Sequence, residues 1–163
     1  HLLHAVRALV HRRNLSLVVI GTPKKGGGIE RLVRGLDLSR HIRFTGRIDH
    51  NAFVREYARA AIAVVPSMYE GFGLPVGEAM ACRLPVICTT GGALPEVAGD
   101  AALMVPPGDA IALEQAIETL LDDPKQRESL AQKGYERVMQ TFTWENTARQ
   151  TAEAYRDVIH DYR

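Results

Sequence analysis

The chain has 163 residues, 46% of them hydrophobic and 24% charged, with a formal net charge of +1. That length supports one domain with a real core and is short for two. The charge balance offers no footprint for nucleic acid and no acidic tail, and no apolar run approaches the length that crosses a bilayer.

The sequence opens inside a helical pattern, without Met or a cap, as a fragment of something longer would: Leu2, Leu3, Val6, Leu9 and Val10 recur at helical spacing. His4 and His11 fall on one side of this pattern with no carboxylate at ligand spacing, so they read as surface histidines and no metal site is expected. His11-Arg12-Arg13 and Lys24-Lys25 read as solvated surface. "LSLVVIG" (15–21) reads as a buried strand, followed by the loop "TPKKGGG" and the helical "IERLVRGLDL". In that loop the lysines precede the glycines, the reverse of a G-x-x-x-x-G-K-[ST] phosphate loop, so it reads as a mobile surface loop. "HIRFTG" (41–46) is a second strand and "NAFVREYARA" a helix; "AIAVVPS" is a third strand and "VGEAMACR" a short helix. "LPVICTT" is a fourth strand followed by the loop "GGALPEVAG", and "AALMVPP" is a fifth. Three helical stretches, from "DAIALEQAIETLLDD" to "TWENTARQTAEAYRDVIHDYR", complete the chain; Phe142, Trp144 and Tyr155 sit there at spacings that suit packing.

Continuously apolar strands alternating with helices imply a parallel sheet covered on both faces, an α/β domain of the doubly wound, Rossmann-like kind over 1–163. Cys82 and Cys88 lie in apolar surroundings and read as buried, reduced thiols of a cytoplasmic protein. In an open parallel sheet, ligands bind beyond the carboxyl ends of the strands, so the segments "GTPKKGGG", "TGRID", "PSMYEGFGLPV", "TTGGALPE" and "PPGD" should line one rim.

One of those segments carries most of the chemistry. Glu70 and Glu78 bracket Gly71, Phe72, Gly73, Leu74, Pro75, Val76 and Gly77, with no other charge between them. Glycines let the backbone turn sharply and approach a ligand, and Pro75 suits the first turn of a helix. The N–H groups around Gly73, Leu74 and Val76 would then point out of a helix start toward an anion such as a diphosphate. A carboxylate accepts from two adjacent sugar hydroxyls, so one glutamate on each side would suit a nucleotide sugar. Spacing alone leaves a second reading open, in which Glu78 complements a helix dipole, Glu70 is a solvated loop residue and the glycines serve a tight turn.

The stretch "PSMYEGFGLPVGEAMACRLPVICTTGGALPEVAGDAALMVPPGD" resembles the donor-binding C-terminal half of the retaining GT-B glycosyltransferases, the group of glycogen and sucrose synthases and bacterial mannosyl- and glucosyltransferases. The Glu-x7-Glu element runs from Glu70 into "EAMA", and the ordered "PVI", "GG…PE" and "LMVPPGD" elements follow it. The resemblance extends over nearly the whole chain. It implies the C-terminal half of a GT-B fold, with a nucleotide diphosphate sugar as donor substrate, no cofactor and no metal.

By position, the resemblance implies that Glu70 contacts donor-sugar hydroxyls at the catalytic centre and that Gly71, Phe72, Gly73 and Leu74 meet sugar and phosphates. It implies that Glu78 accepts from the ribose, while Gly46, Arg47 and Ile48 lie by the nucleobase and read it through backbone groups; Arg47 has an equal reading as a surface arginine. Glu96 reads as structural, accepting backbone hydrogen bonds at a helix start, and Thr89, Thr90, Gly91 and Gly92 as contributors to the cleft. Arg83 stands where the family usually has Gly, which implies a changed helix terminus. The family's diphosphate-binding Arg and Lys, a first strand and an N-terminal acceptor domain would lie upstream of His1. Without that strand, near the sheet's middle, the fragment should pair through exposed edges, by strand swapping or oligomerisation. A peripheral membrane contact of the parent enzyme stays open, and because the family's last helix crosses back to the other domain, exposed apolar residues in the C-terminal helices would be an orphaned interface. Alternatives on the same plan are a nucleotide-sugar epimerase, which needs converging acid/base groups, a phosphorylase, which usually needs a pyridoxal phosphate lysine, or a non-catalytic nucleotide-binding or interaction module.

Overall fold

Four consecutive residues, Val86–Thr89, are all buried, and the rest of the fold is arranged around them. The computed structural model describes residues 1–162. In chain order the elements are α1 (Leu2–Val10), β1 (Leu17–Val19), α2 (Gly28–Gly35), β2 (Ile42–Phe44), α3 (His50–Arg59), β3 (Ala63–Val65) and α4 (Leu74–Ala81). They continue with β4 (Val86–Thr89), α5 (Leu94–Ala98), β5 (Ala102–Val105), α6 (Ala110–Asp122), α7 (Pro124–Thr141) and α8 (Trp144–Asp161). Where a loop was expected over "GGALPEVAG", the single-turn α5 forms behind Pro95, whose fixed φ suits a first turn.

Every strand pairing is parallel, and the α/β class inferred from the alternating pattern holds. The strands form two sheets, β1-β2 and β3-β4-β5. Alternation along β4 divides the core of the larger one. Val86 and Cys88 meet Val76, Ala79 and Met80 of α4, Leu94 and Val97 of α5, and Val138 of α7. Ile87 faces the other way, toward Ala5 and Leu9 of α1 and Leu113, Ala116, Ile117 and Leu120 of α6.

Helix α1 also covers the smaller sheet, where Val6 packs with Val33, Leu38, Leu17, Ile42 and Phe44. It therefore spans both sheets, and the full burial of Leu9 alone contributes about 2 kcal/mol. Arg12 and Arg13, expected as solvated surface, instead tie the end of α1 to α6. Arg12 bonds Glu114 and Glu118, and Arg13 holds Asp122 at 2.6 Å. The guanidinium of Arg13 keeps the Asp122 carboxyl below its ordinary value.

Two further expectations are corrected. The stretch 15–21 is not a buried strand: Leu17 packs on the α1 side, while Val18 and Ile20 alternate onto the other face, where no core cluster of the described residues covers them, and are exposed. Phe142 packs against the core and meets Phe72 edge-on, but Trp144 is 88% exposed and Tyr155 67% exposed, since α8 lies mainly along α7 and reaches no core.

Candidate functional site

The segment between β3 and α4 is shaped by contact with the loop after β4. The Glu70 carbonyl accepts from the Ala93 N–H at 2.9 Å, and Glu70 and Gly92 form an isolated parallel bridge. Backbone approaches backbone here with no room for a side chain. A β-carbon on Gly91 would stand 2.4 Å from the Met68 carbonyl oxygen, and one on Gly92 would stand 2.2 Å from that of Glu70. Gly73, at φ +95°, then turns the chain into α4 beneath Leu94, and Pro75 occupies the first turn as expected.

The N–H groups of Gly71, Phe72, Gly73 and Leu74 donate to no protein acceptor among the described residues; Gly73 itself is buried, while its three neighbours are exposed. The Val76 N–H, expected to be free, donates to the Gly73 carbonyl at 3.0 Å. Four consecutive unpaired donors at a helix start form a ready anion site, reinforced by the positive end of the α4 dipole.

Beside α4 lies a hollow of about 360 Å³ lined by Ile48, Asp49, His50, Phe53, Val54, Glu78, Ala81 and Cys82. Asp49 caps α3 by accepting the Ala52 N–H at 2.7 Å, which sets the helix start at the hollow's rim. Its volume lies within the range of small-molecule sites. Its carboxylates suit hydroxyls and its apolar side chains a flat ring. Behind it, Tyr57 is pushed up to about 12 by burial and then by the charge of Glu78, and burial followed by the same charge raises the Cys82 thiol.

The hollow brings together Ile48 and Glu78, two of the residues singled out from sequence. Glu70 does not line it; that carboxylate lies at the other end of the glycine loop, accepting from the Ser67 hydroxyl at 2.8 Å. Arg47 is exposed and forms no ion pair among the described residues. Both polar groups of Gly46 are engaged within the protein, its N–H by Gly21 and its carbonyl by the Thr45 hydroxyl, so little of its backbone is left for a base.

Thr89 does not face the cleft: it is buried and donates to the Ser67 carbonyl at 2.5 Å. Glu96 is exposed, and it is its carbonyl, held at 2.6 Å by Arg137, that is used; its side chain caps nothing. Asp49 and Phe53 escaped the sequence reading, and Cys82, expected as a buried thiol, is only partly buried and lines the hollow. Cys82 was within reach, because it stands one turn after Glu78 and shares its face.

The protein-family model described as glycosyl transferases group 1 matches residues 1–137. The chain belongs to that family. Among its relatives, an MMP alpha-(1->4)-mannosyltransferase of Mycolicibacterium hassiacum is 35% identical over 98% of this chain and 39% of its own length. Sucrose-phosphate synthase from Thermosynechococcus elongatus shares the fold with a TM-score of 0.84 and 35% identity, over 98% of this chain and 43% of that one. Anabaena HepE, solved in complex with UDP-glucose, is 19% identical with a TM-score of 0.83, over 96% of this chain and 44% of that one, and shows the fold alone. This group 1 chain thus spans 28–40% of the length of the curated relatives it matches. No helix among the described residues is long and apolar enough to cross a membrane.

Proposed function

We propose that this chain is the donor-binding domain of a retaining hexosyltransferase that moves a sugar from a nucleotide diphosphate to an acceptor hydroxyl held by another domain. The observation that carries the reading is the row of four unpaired amides from Gly71 to Leu74, with the Glu78 hollow and the Glu70 carboxylate placed apart from each other. The hollow takes the nucleoside, with Ile48 by the base and Glu78 accepting from the ribose hydroxyls. Its acidity directs the diphosphate out of it and onto the amides. Glu70 then accepts from the hydroxyls of the sugar. Anabaena HepE, solved with UDP-glucose, is a relative in fold that accommodates such a molecule.

The chemistry asked of these groups is electrostatic. As the glycosidic bond breaks, negative charge collects on the departing diphosphate, where fixed amide dipoles stabilise it without reorganising. The reading assigns no side chain as the nucleophile of a double displacement. In the reading favoured here the leaving phosphate takes the proton of the incoming hydroxyl on the same face, which keeps the anomeric configuration. Neither a metal nor a cofactor enters this scheme.

Calorimetric titration with UDP and GDP, and with UDP-glucose and GDP-mannose, tests the proposal. Binding of a nucleoside diphosphate that disappears in Glu78→Ala is the expected result. Absence of binding by all four compounds overturns it in favour of an interaction module.

A further inference from the structure

Thr89 is the one buried polar side chain among the described residues, at 2% exposure, and the donor reading gives it nothing to do. Its bonds run toward Glu70. The Thr89 hydroxyl accepts from the Gly91 N–H at 3.3 Å and donates its single proton to the Ser67 carbonyl at 2.5 Å. The Ser67 hydroxyl lies 2.8 Å from Oε1 of Glu70. An ionised carboxylate only accepts, so the direction of every bond in this series is fixed, from the end of β4 to the carboxylate.

The series does two separate things. Thr89 fixes the backbone of residue 67, already pressed against Gly91, whose missing β-carbon would stand 3.3 Å from the Ser67 carbonyl oxygen. Ser67 then fixes a side chain. A glutamate has three rotatable bonds, and a half-buried one with a single protein partner depends on that partner for its direction. With Oε1 taken by Ser67, Oε2 has no protein donor among the described residues and is the oxygen left for a sugar hydroxyl.

We propose that Ser67 is a positioning residue that aims the Glu70 carboxylate at the donor sugar, acting from a backbone that Thr89 holds in place. This rests on the reading that Glu70 meets the sugar. It predicts an effect confined to the sugar half of the ligand, because the nucleoside and diphosphate are held by Glu78 and the amides.

The test compares Ser67→Ala, Ser67→Thr and Glu70→Ala with the unsubstituted chain, using calorimetry with UDP against UDP-glucose and GDP against GDP-mannose. Thermal denaturation of each variant shows that it folds. For Ser67→Ala, nucleoside diphosphate affinity should stay within about twofold, while nucleotide-sugar affinity falls about tenfold, the scale of one hydrogen bond to a charged group. Ser67→Thr keeps the hydroxyl and should restore the loss. Unchanged or tighter sugar binding by Ser67→Ala, beside a clear loss in Glu70→Ala, overturns the positioning role and leaves the donor reading standing. An equal loss of nucleoside diphosphate and nucleotide sugar by Ser67→Ala also overturns it, as loop collapse. Glu70→Ala without effect on either ligand removes the reading of Glu70, and this inference with it.

Discussion

Gly92→Ala perturbs the site where backbone presses on backbone. The new β-carbon would stand 2.2 Å from the Glu70 carbonyl oxygen, where ordinary contact begins at about 3.4 Å, so the Glu70 backbone must retreat by about 1.2 Å. The obstacle cannot rotate away, because it is main chain bonded to the Ala93 N–H. Alanine at φ +65° adds about 1–2 kcal/mol of left-handed strain, and overpacking adds about 1–3 kcal/mol. At about 2–4 °C per kcal/mol for a chain of this size, the melting temperature should drop by roughly 4–20 °C. On the donor reading proposed above, a displacement of about 1 Å at the Glu70 carboxylate lowers nucleotide-sugar affinity by up to about 100-fold. The expected result by calorimetry is therefore a folded variant whose binding of UDP-glucose or GDP-mannose is no tighter than that of the bare nucleoside diphosphate. Wild-type nucleotide-sugar affinity together with an unchanged melting temperature would refute the reasoning, since the loop would then have absorbed the β-carbon freely.

The other expectations concern the helix end, the thiols, the sheet edge and the glycine loop. Arg83 sits at φ +55° and closes α4 with a Schellman pair, Leu84 N–H to Ala79 and Arg83 N–H to Met80, while its guanidinium lies 3.6 Å from the centre of the Tyr135 ring. Arg83→Ala keeps the strain and loses the ring contact, so chemical denaturation should find it about 1 kcal/mol less stable than Arg83→Gly; equal stabilities would count against strain at this position. Burial holds Cys88 up at about 11 against an ordinary 9.0, so the neutral thiol stabilises the fold fully below pH 9 and this contribution is lost as pH rises through 11. A thiol reagent at neutral pH should label Cys82 alone, and nucleoside diphosphate should slow it, because Cys82 shares the hollow with Glu78; labelling of Cys88 in the folded chain contradicts this. The chain taken alone should self-associate through the exposed β1 edge, and a monodisperse monomer by light scattering would rule that out. Gly71→Ala should leave the melting temperature unchanged and weaken nucleotide-sugar binding, since its β-carbon meets no protein atom; unaltered binding would show that no ligand passes there.

Helices and strands were legible because their periodicities are set by local sequence: every expected strand contains the observed one, and the long C-terminal helices start where Asp109, Asp123 and Thr143 cap them. Failures came where a residue's environment depends on distant partners. Val18 and Ile20 look like core residues, and only the absence, among the described residues, of a core cluster over their face of the smaller sheet leaves them exposed. Arg12 and Arg13 look like surface charge until α6 is folded beside them with three acids in reach. Thr89, read as a cleft hydroxyl from its place after a strand, points inward because the Ser67 carbonyl needs a donor that the sheet does not supply. The glutamate pair was legible by spacing, but its division between two places was not, because the turn at Gly73 depends on Leu94 and Gly92, about twenty residues away.

The glycines around that turn separate what the fold requires from what a ligand would require. Gly73, Gly91 and Gly92 are each accounted for inside the protein: a β-carbon would strike Leu94, Met68 or Glu70, so their smallness serves packing and says nothing about function. Gly71 is different. Its φ is not in the left-handed region and a β-carbon there would meet nothing within 4 Å, so neither conformation nor packing demands a glycine. It also heads the row of unpaired amides and stands next to Glu70. Gly77 is equally free of both demands but lies inside α4. It is therefore the place of Gly71 beside the unpaired amides and Glu70, added to its freedom from packing, that makes it a stronger sign of a bound molecule than the three the fold cannot do without.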